Sequence, residues 1–189
     1  MGFAVVYSRE QLIEAAFQIM EAAGNPVKRI NKGQQWLIRM ADGKTANLKT
    51  AGKGGLMVKT LSPENDAEIV GFDADVSHIL ASVCLPGDEI ITAYLIPLDV
   101  VEAAYRRNNL ERSQKTKRAK TTTWVLKFNE TKAIHYGDNM AQEWEQYRVG
   151  ETSLAVEDNS PKAVLERARG EIAEAYGVEA TQVKISVDL

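Results

Sequence analysis

The chain of 189 residues contains one cysteine, Cys84, and two histidines, His78 and His135. A lone cysteine excludes an internal disulfide and any multi-cysteine zinc centre, and two histidines leave little for zinc chemistry. Aromatic residues make up only 7% of the chain. No apolar run approaches the roughly 18 residues that a membrane span needs. Met1 to Glu10 has no basic segment leading into an apolar one, so no secretory leader is expected. Internal repeats and low-complexity tracts are missing as well. What is present is the composition of a globular protein, 44% hydrophobic and 26% charged, long enough to bury a core without covalent staples. The expectation is a cytoplasmic protein without a membrane span.

The formal charge of −3 conceals a separation of charge. Between Lys28 and Lys59 stand Lys28, Arg29, Lys32, Arg39, Lys44, Lys49, Lys53 and Lys59 against the single acid Asp42. Between Arg106 and Lys127 stand Arg106, Arg107, Arg112, Lys115, Lys117, Arg118, Lys120 and Lys127 against Glu111. Each segment carries +7, so the remaining residues carry −17. Such separation is the electrostatic footprint of a polyanion-binding face, provided the two runs fold onto one side. Charge runs are also ordinary on solvated faces and loops.

The pattern along the chain reads as mixed. Ser8 to Ala23 is a helix with Ser8 and Gln11 as a capping box, an apolar stripe through Leu12, Ile13, Ala16, Phe17, Met20 and Ala23, and a stop at Gly24-Asn25-Pro26. Trp36 to Met40 and Thr45 to Thr50 form a hairpin about Asp42-Gly43. After the loop Gly52-Lys53-Gly54-Gly55 comes a strand from Leu56 to Leu61. Asp73 to Leu85 is apolar enough to be buried, with helix and strand both open there, and Glu89 to Ile96 reads as a central strand. Pro97 and Asp99 open a short helix, with Asp99 and Glu102 as a capping pair. The basic linker follows. Thr121 to Phe128 and Thr131 to Tyr136 read as strands, then Asn139 to Tyr147 as a helix. A polar stretch from Gly150 to Asn159 precedes a last helix, with Ser160 as cap, Pro161 in its first turn and Gly177 past its end. Val183, Ile185 and Val187 then alternate as a strand. The expected class is α+β, with a main domain over 1–150 and a helix-strand appendage over 151–189 packing on it.

Three places carry candidate chemistry. Gly52-Lys53-Gly54-Gly55 brings backbone amides to a phosphate with Lys53 and Lys49 adding charge, although it is not the Walker pattern and equally suits a plain hairpin turn. Gly137-Asp138-Asn139-Met140 stands where a strand feeds a helix: Gly137 permits a tight turn, Asp138 is the candidate metal ligand, and Asn139 caps or contacts a ligand. Glu143, one turn on, shares a face with Asn139, and His135 beside the turn is a candidate base. An ordinary capped helix is the alternative. Metal-dependent nucleases set an acid two positions before a lysine, but here those slots are Asn47-Leu48-Lys49 and Met57-Val58-Lys59. His78 reads as a core histidine, Cys84 as buried and inert, and Trp124 and Trp144 as core residues rather than base-stacking platforms.

At these residues two resemblances arise. Lys132 to Val149 resembles the strand-glycine-helix turn of the ParB/sulfiredoxin-like fold, whose members carry Gly-x-His-Arg or Gly-x-Arg-Arg and bind nucleotide or phosphate there. Gly137 matches, while Asn139 and Met140 occupy the two basic positions. With the chain length, this turn is similar to the Osa-type plasmid fertility-inhibition factors of that fold class. That resemblance implies a ParB/sulfiredoxin-like mixed sheet with flanking helices. It also implies a DNase influenced by ATP, with Mg²⁺ as metal. Its role would be to block DNA export through a conjugation or type IV secretion machine, from the cytoplasm or peripherally at the inner membrane. The second resemblance, over Ser8 to Tyr147, is to PD-(D/E)XK nucleases. There Met57 departs from the required acid, which implies a degenerate, binding-only member.

On the leading reading Asp138, Glu143 and His135 are catalytic, with Asp138 on the metal. Lys49, Lys53, Gly137 and Asn139 hold nucleotide, and Arg106, Arg107, Arg112, Lys115, Lys117, Arg118 and Lys120 hold the DNA backbone. The alternatives are a non-catalytic module that binds DNA or a secretion-machine protein through the same basic residues, and a protein-interaction factor working through the acidic Gly150 to Leu189.

Overall fold

The computed structural model describes residues 7–30, 36–64, 66–70, 72, 75–115, 122–129, 139–154 and 161–185. The chain separates into two compact units, Met1–Leu154 and Ala155–Leu189. The first is α+β, with a mixed sheet and flanking helices.

Helix α1 (Arg9–Ala22) begins as its sequence dictates: Ser8 Oγ accepts the Gln11 amide at 3.1 Å, and Gln11 Oε1 accepts the Ser8 amide at 2.8 Å. The strands β1 (Lys28–Arg29), β2 (Trp36–Arg39) and β3 (Thr45–Ala51) follow. The β2–β3 hairpin turns at Gly43, whose φ of 87° suits glycine. β4 (Gly55–Thr60) and β5 (Ile69–Val70) then leave this sheet, before β6 (His78–Cys84) returns to pair parallel with β3. The open segment Asp73 to Leu85 thus resolves as strand. β7 (Ile91–Pro97), helix α2 (Leu98–Lys115), β8 (Thr123–Lys127), helix α3 (Met140–Glu143), a 3-10 turn (Glu145–Tyr147) and β9 (Arg148–Thr152) complete the unit.

The larger sheet has the order β1-β2-β3-β6-β7-β9, with only β3–β6 parallel, and the smaller has the order β5-β4-β8. β6 is buried on both faces. Leu80 packs with Ile13, Ala16, Ile19 and Met20 of α1. Ile79, Ala81 and Val83 pack with Leu56, Val58, Trp124 and Leu126 of the smaller sheet and with Val101, Ala104 and Tyr105 of α2. The result is three layers: α1, the mixed sheet, then the small sheet with α2. The α1 layer sits close. Ser82 Oγ donates to Leu12 O at 2.6 Å, and a Cβ on Gly150 would lie 3.2 Å from Ile19 Cγ2.

Helix α2 is not the short helix of the sequence reading, since it continues from Leu98 to Lys115 through the expected linker. Its buried positions Val101, Ala104, Tyr105, Asn108 and Asn109 follow helical spacing, but the last two are polar, so the apolar stripe of the sequence ends a turn before the helix does. Asn108 serves the backbone of the small sheet: β8 is an edge strand, and Asn108 Nδ2 donates to Val125 O at 2.7 Å. Tyr105 Oη donates to Leu56 O at 2.9 Å in the same layer. Asp99 lies inside the first turn rather than at its cap. The expected helix Asn139 to Tyr147 is likewise divided, into α3 and the 3-10 turn.

In the second unit α4 (Pro161–Tyr176) ends at Gly177 with φ of 64°, followed by a 3-10 turn (Ala180–Gln182). The expected strand Val183 to Val187 is not formed over 183–185, and its last two residues lie outside the described residues. A strand needs a neighbour for its ladder bonds, and the described residues of this unit contain none.

Two outcomes follow from this packing. Gly54 has φ of +66°, and a Cβ there would lie 3.0 Å from Leu85 Cδ2, whereas Gly43 has open space around it. Gly54→Ala is therefore expected to cost about 1–3 kcal/mol in urea unfolding, and more than Gly43→Ala, which carries the backbone term alone. The second concerns alkali. Burial holds the Tyr105 phenol well above its ordinary value of 10.0, and it raises Tyr7 and Tyr94 in the same direction. The unfolded chain therefore ionises first, and stability is lost as pH rises above about 10. Tyr105→Phe is expected to cost about 1 kcal/mol at neutral pH and to make the alkaline decline shallower, as read by unfolding at a series of pH values.

Candidate nucleic-acid interface

Strand alternation sorts the first basic run onto different faces. In β2, Trp36 and Ile38 pack toward α1, and Arg29 is registered opposite Ile38. The Arg29 guanidinium lies 3.6 Å from the Trp36 ring centroid, and Phe17 meets that indole edge-on at 6.3 Å. Such stacking holds a cation over an aromatic face. Lys28 and Arg39 are registered directly opposite each other, on the α2 side of the sheet, and both are exposed. Like charges in a cross-strand pair repel. Neither has an ion-pair partner among the described residues.

Lys49 is on the same side of the sheet: its neighbour Leu48 faces α1, whereas Ala51, two residues on, packs against the small-sheet layer. The Lys49 ammonium lies 5.4 Å from the Phe72 ring centroid. Arg106 of α2 reaches the same crossover segment, donating to Ala67 O at 3.2 Å. The two basic runs thus approach each other across 67–72, but not as an unbroken positive face. That crossover carries Glu64, Asp66 and Glu68, so acid interrupts the charge where the sequence placed it elsewhere. Lys44 is engaged by Asp42 at 3.1 Å, and its amide and ammonium hold that carboxyl below its ordinary value. Lys59 points outward from the small sheet beside Met57, so neither of the two acid-lysine slots assembles a carboxylate with its lysine. Asn47 is buried in its slot and Met57 exposed in the other.

The Gly52-Lys53-Gly54-Gly55 loop is a packed turn. The Gly54 amide is shared between Ala51 O at 3.0 Å and Cys84 O at 3.1 Å, and its carbonyl takes the Phe128 amide at 2.8 Å. An amide so engaged does not face a phosphate, and only Lys53 at the tip remains exposed.

Of the glycine-turn residues, His135, Gly137 and Asp138 lie outside the described residues. Asn139 adopts a left-handed conformation with φ of 61° and makes no cap bond. Its Nδ2 donates instead to Gln142 Oε1 at 2.6 Å. The helix that follows has 4 residues, too few for the aligned dipoles that make an anion site of a helix start. Glu143 does not share a ligand with Asn139: both of its oxygens take Arg107 Nη2 at 2.7 Å. Arg107, expected on DNA phosphate, is therefore occupied by an internal carboxylate. Arg112 and Lys115 fall within the last turns of α2, and Lys117, Arg118 and Lys120 lie outside the described residues. Among the described residues no group of three or more acidic, histidine or cysteine side chains is placed to hold a metal ion.

The buried readings hold for the tryptophans and for Cys84, but not for His78, which the structure leaves only partly covered. Trp124 and Trp144 are buried, and Trp144 meets Phe128 edge-on at 5.7 Å. His78 is half-buried, with Nδ1 2.8 Å from Ser77 Oγ, and burial, then Lys44, pulls its pKa down. Cys84 is buried and its thiol pushed up by burial and then by Asp88, so it is held as an unreactive thiol. No helix among the described residues is long and apolar enough to cross a membrane. Sequence reasoning missed the Lys28–Arg39 juxtaposition. Its one available signal was Lys28-Arg29 lying beyond Pro26, which no periodicity marked as a strand.

No protein-family model and no curated protein matches the chain. Among solved structures, the crystal structure of MepB is similar at 12% identity over 71% of this chain and 86% of that one, with a TM-score of 0.36. At that level the likeness carries no argument about fold or activity.

Proposed function

We propose that the chain is a DNA-binding module that grips the phosphodiester backbone through the β1–β2 edge, led by Lys28 and Arg39, with the basic end of α2 as a second contact. The observation that supports this reading is the cross-strand pair itself: two exposed cations in direct register without a counter-ion among the described residues. Such a pair is relieved by an external polyanion, and phosphate neutralisation supplies the bulk of non-specific DNA affinity. Arg107 joins only when Glu143 releases it. That pair is exposed, 51% and 42%, and so contributes little to stability.

Hydrolysis of the bound DNA, ATP influence and a fertility-inhibition role are proposals that rest on the ParB/sulfiredoxin-like resemblance of Lys132 to Val149. They assign Asp138, His135 and Glu143 to catalysis and Mg²⁺ to Asp138.

A labelled duplex followed by fluorescence anisotropy over a salt series tests the binding. Affinity is expected to fall steeply with salt, and Lys28→Ala with Arg39→Ala to reduce the slope by about two. Glu143→Gln is expected to tighten binding by freeing the Arg107 fork. A slope untouched by the Lys28 and Arg39 changes would overturn the edge as the interface. Plasmid nicking with Mg²⁺, with and without ATP and with an EDTA control, tests the chemistry. Cleavage that EDTA and Asp138→Ala both abolish makes the chain a nuclease, and intact plasmid beside salt-sensitive binding makes it a binding module alone.

A further inference from the structure

A cleft of about 200 Å³ opens on the α2 side of the mixed sheet, away from the β1–β2 edge, at the far strands β6, β7 and β9. Its floor is one cross-strand row, Val83 opposite Thr92 opposite Glu151, with Tyr94 two residues along β7. Leu85, Ile90, Phe128 and Ala141 supply apolar walls, and Asp88 stands in the β6–β7 turn. That turn is fixed from below. Cys84 Sγ lies 3.4 Å from Asp88 O, and the Asp88 amide donates to Leu85 O at 3.1 Å.

The polar groups of the cleft are unevenly satisfied. Tyr94 is buried, 5% exposed, and its ring lies tilted against Phe128 at 5.1 Å, but its hydroxyl makes no hydrogen bond among the described residues. That hydroxyl is not sealed from solvent, so it is open to a ligand in the cleft. The Asp88 carboxylate likewise has no partner among the described residues, whereas Glu151 is held by Arg148, which also reaches Glu145 at 3.8 Å. Arg148, registered opposite Tyr94, is therefore already shared by two carboxylates. The electrostatic surroundings of Tyr94 agree: burial raises its phenol first, and the Glu145 and Glu151 charges add to the rise while Arg148 opposes it. The cleft is apolar inside and negative at its rim, the reverse of a nucleotide or phosphate site.

We propose that this cleft binds a small primary ammonium compound, its apolar body between Phe128, Leu85 and Ala141 and its ammonium directed at Asp88 and Glu151, with the Tyr94 hydroxyl as an added acceptor. The volume sets the size. A water occupies roughly 30 Å³ of liquid, so the cleft holds a ligand of about six to eight heavy atoms, the scale of an arylmethylamine, with room for the smaller lysine side chain. The site shares no lining residue with the DNA reading, whose leading contacts, Lys28 and Arg39, lie on the opposite edge of the sheet.

The test titrates the full chain with benzylamine, and in parallel with benzyl alcohol and benzoate, by calorimetry and by backbone amide shifts. Benzylamine is expected to saturate, moving the amides of Thr92, Tyr94 and Ala141, with the neutral alcohol about tenfold weaker and benzoate weaker still. Asp88→Asn, on an exposed turn where folding is not at risk, is expected to weaken benzylamine roughly three- to tenfold, and Tyr94→Phe a few-fold. Nα-acetyl-lysine amide forms a further arm: tighter binding than benzylamine identifies a protein lysine as the source of the ammonium, and weaker binding a free amine. Benzoate or benzyl alcohol binding as well as benzylamine, benzylamine affinity unchanged by Asp88→Asn, or no saturation by benzylamine overturns the proposal. Duplex affinity is expected to stay unchanged in Asp88→Asn, which separates failure here from failure of the DNA reading.

Discussion

The rest of the fold depends on burying β6 on both faces. Its odd-numbered residues Ile79, Ala81 and Val83 need one apolar layer, and Leu80, Ser82 and Cys84 need another. α1 covers the second set, held close because Ala15, Ala16, Ala46, Ala93 and Gly150 are small and because Ser82 bonds back to Leu12. The first set is covered by the elements that leave the sheet after β3, joined by β8 and α2. Burial on both faces and a parallel β3–β6 pairing go together: parallel strands need a crossover, and the crossover here carries part of the covering layer.

That constraint also decides where charge can go. A sheet with both central faces covered has only its margins left for function. The β1–β2 margin is basic, with Lys28 and Arg39 opposed and Arg29 stacked on Trp36. The β7–β9 margin is acidic at its rim and apolar within, lined by Asp88, Glu151 and Tyr94. The charge separation seen along the chain thus becomes a separation across the sheet, although the acidic crossover at Glu64 to Glu68 keeps Lys49 and Arg106 from extending the basic margin without a break.

Much of the architecture was legible because local signals sufficed. The Ser8–Gln11 box, the Asp42-Gly43 hairpin and the Gly177 stop each depend on neighbours in sequence and stand as expected. Helix α2 was misjudged because two of its core-facing positions are asparagines, whose burial makes sense only once Asn108 is seen to satisfy an edge carbonyl of β8. The segment before Leu85 stayed ambiguous because a strand covered on both faces loses the alternation that identifies strands. The glycine turn promised an anion site, but the helix after it is a single turn, and Glu143 is taken up by Arg107.

The sequence by itself therefore determined the α+β class, the helix caps, the hairpin and the identity of the buried tryptophans, since these follow from residue chemistry and short-range periodicity. Only the tertiary structure decided which charges meet. Cross-strand register set Lys28 against Arg39, a helix-to-helix contact gave Arg107 to Glu143, and three strands together with Phe128 and Ala141 enclosed Tyr94. Each of these joins residues far apart in the chain or on separate strands, and register, not composition, is what brings such residues together.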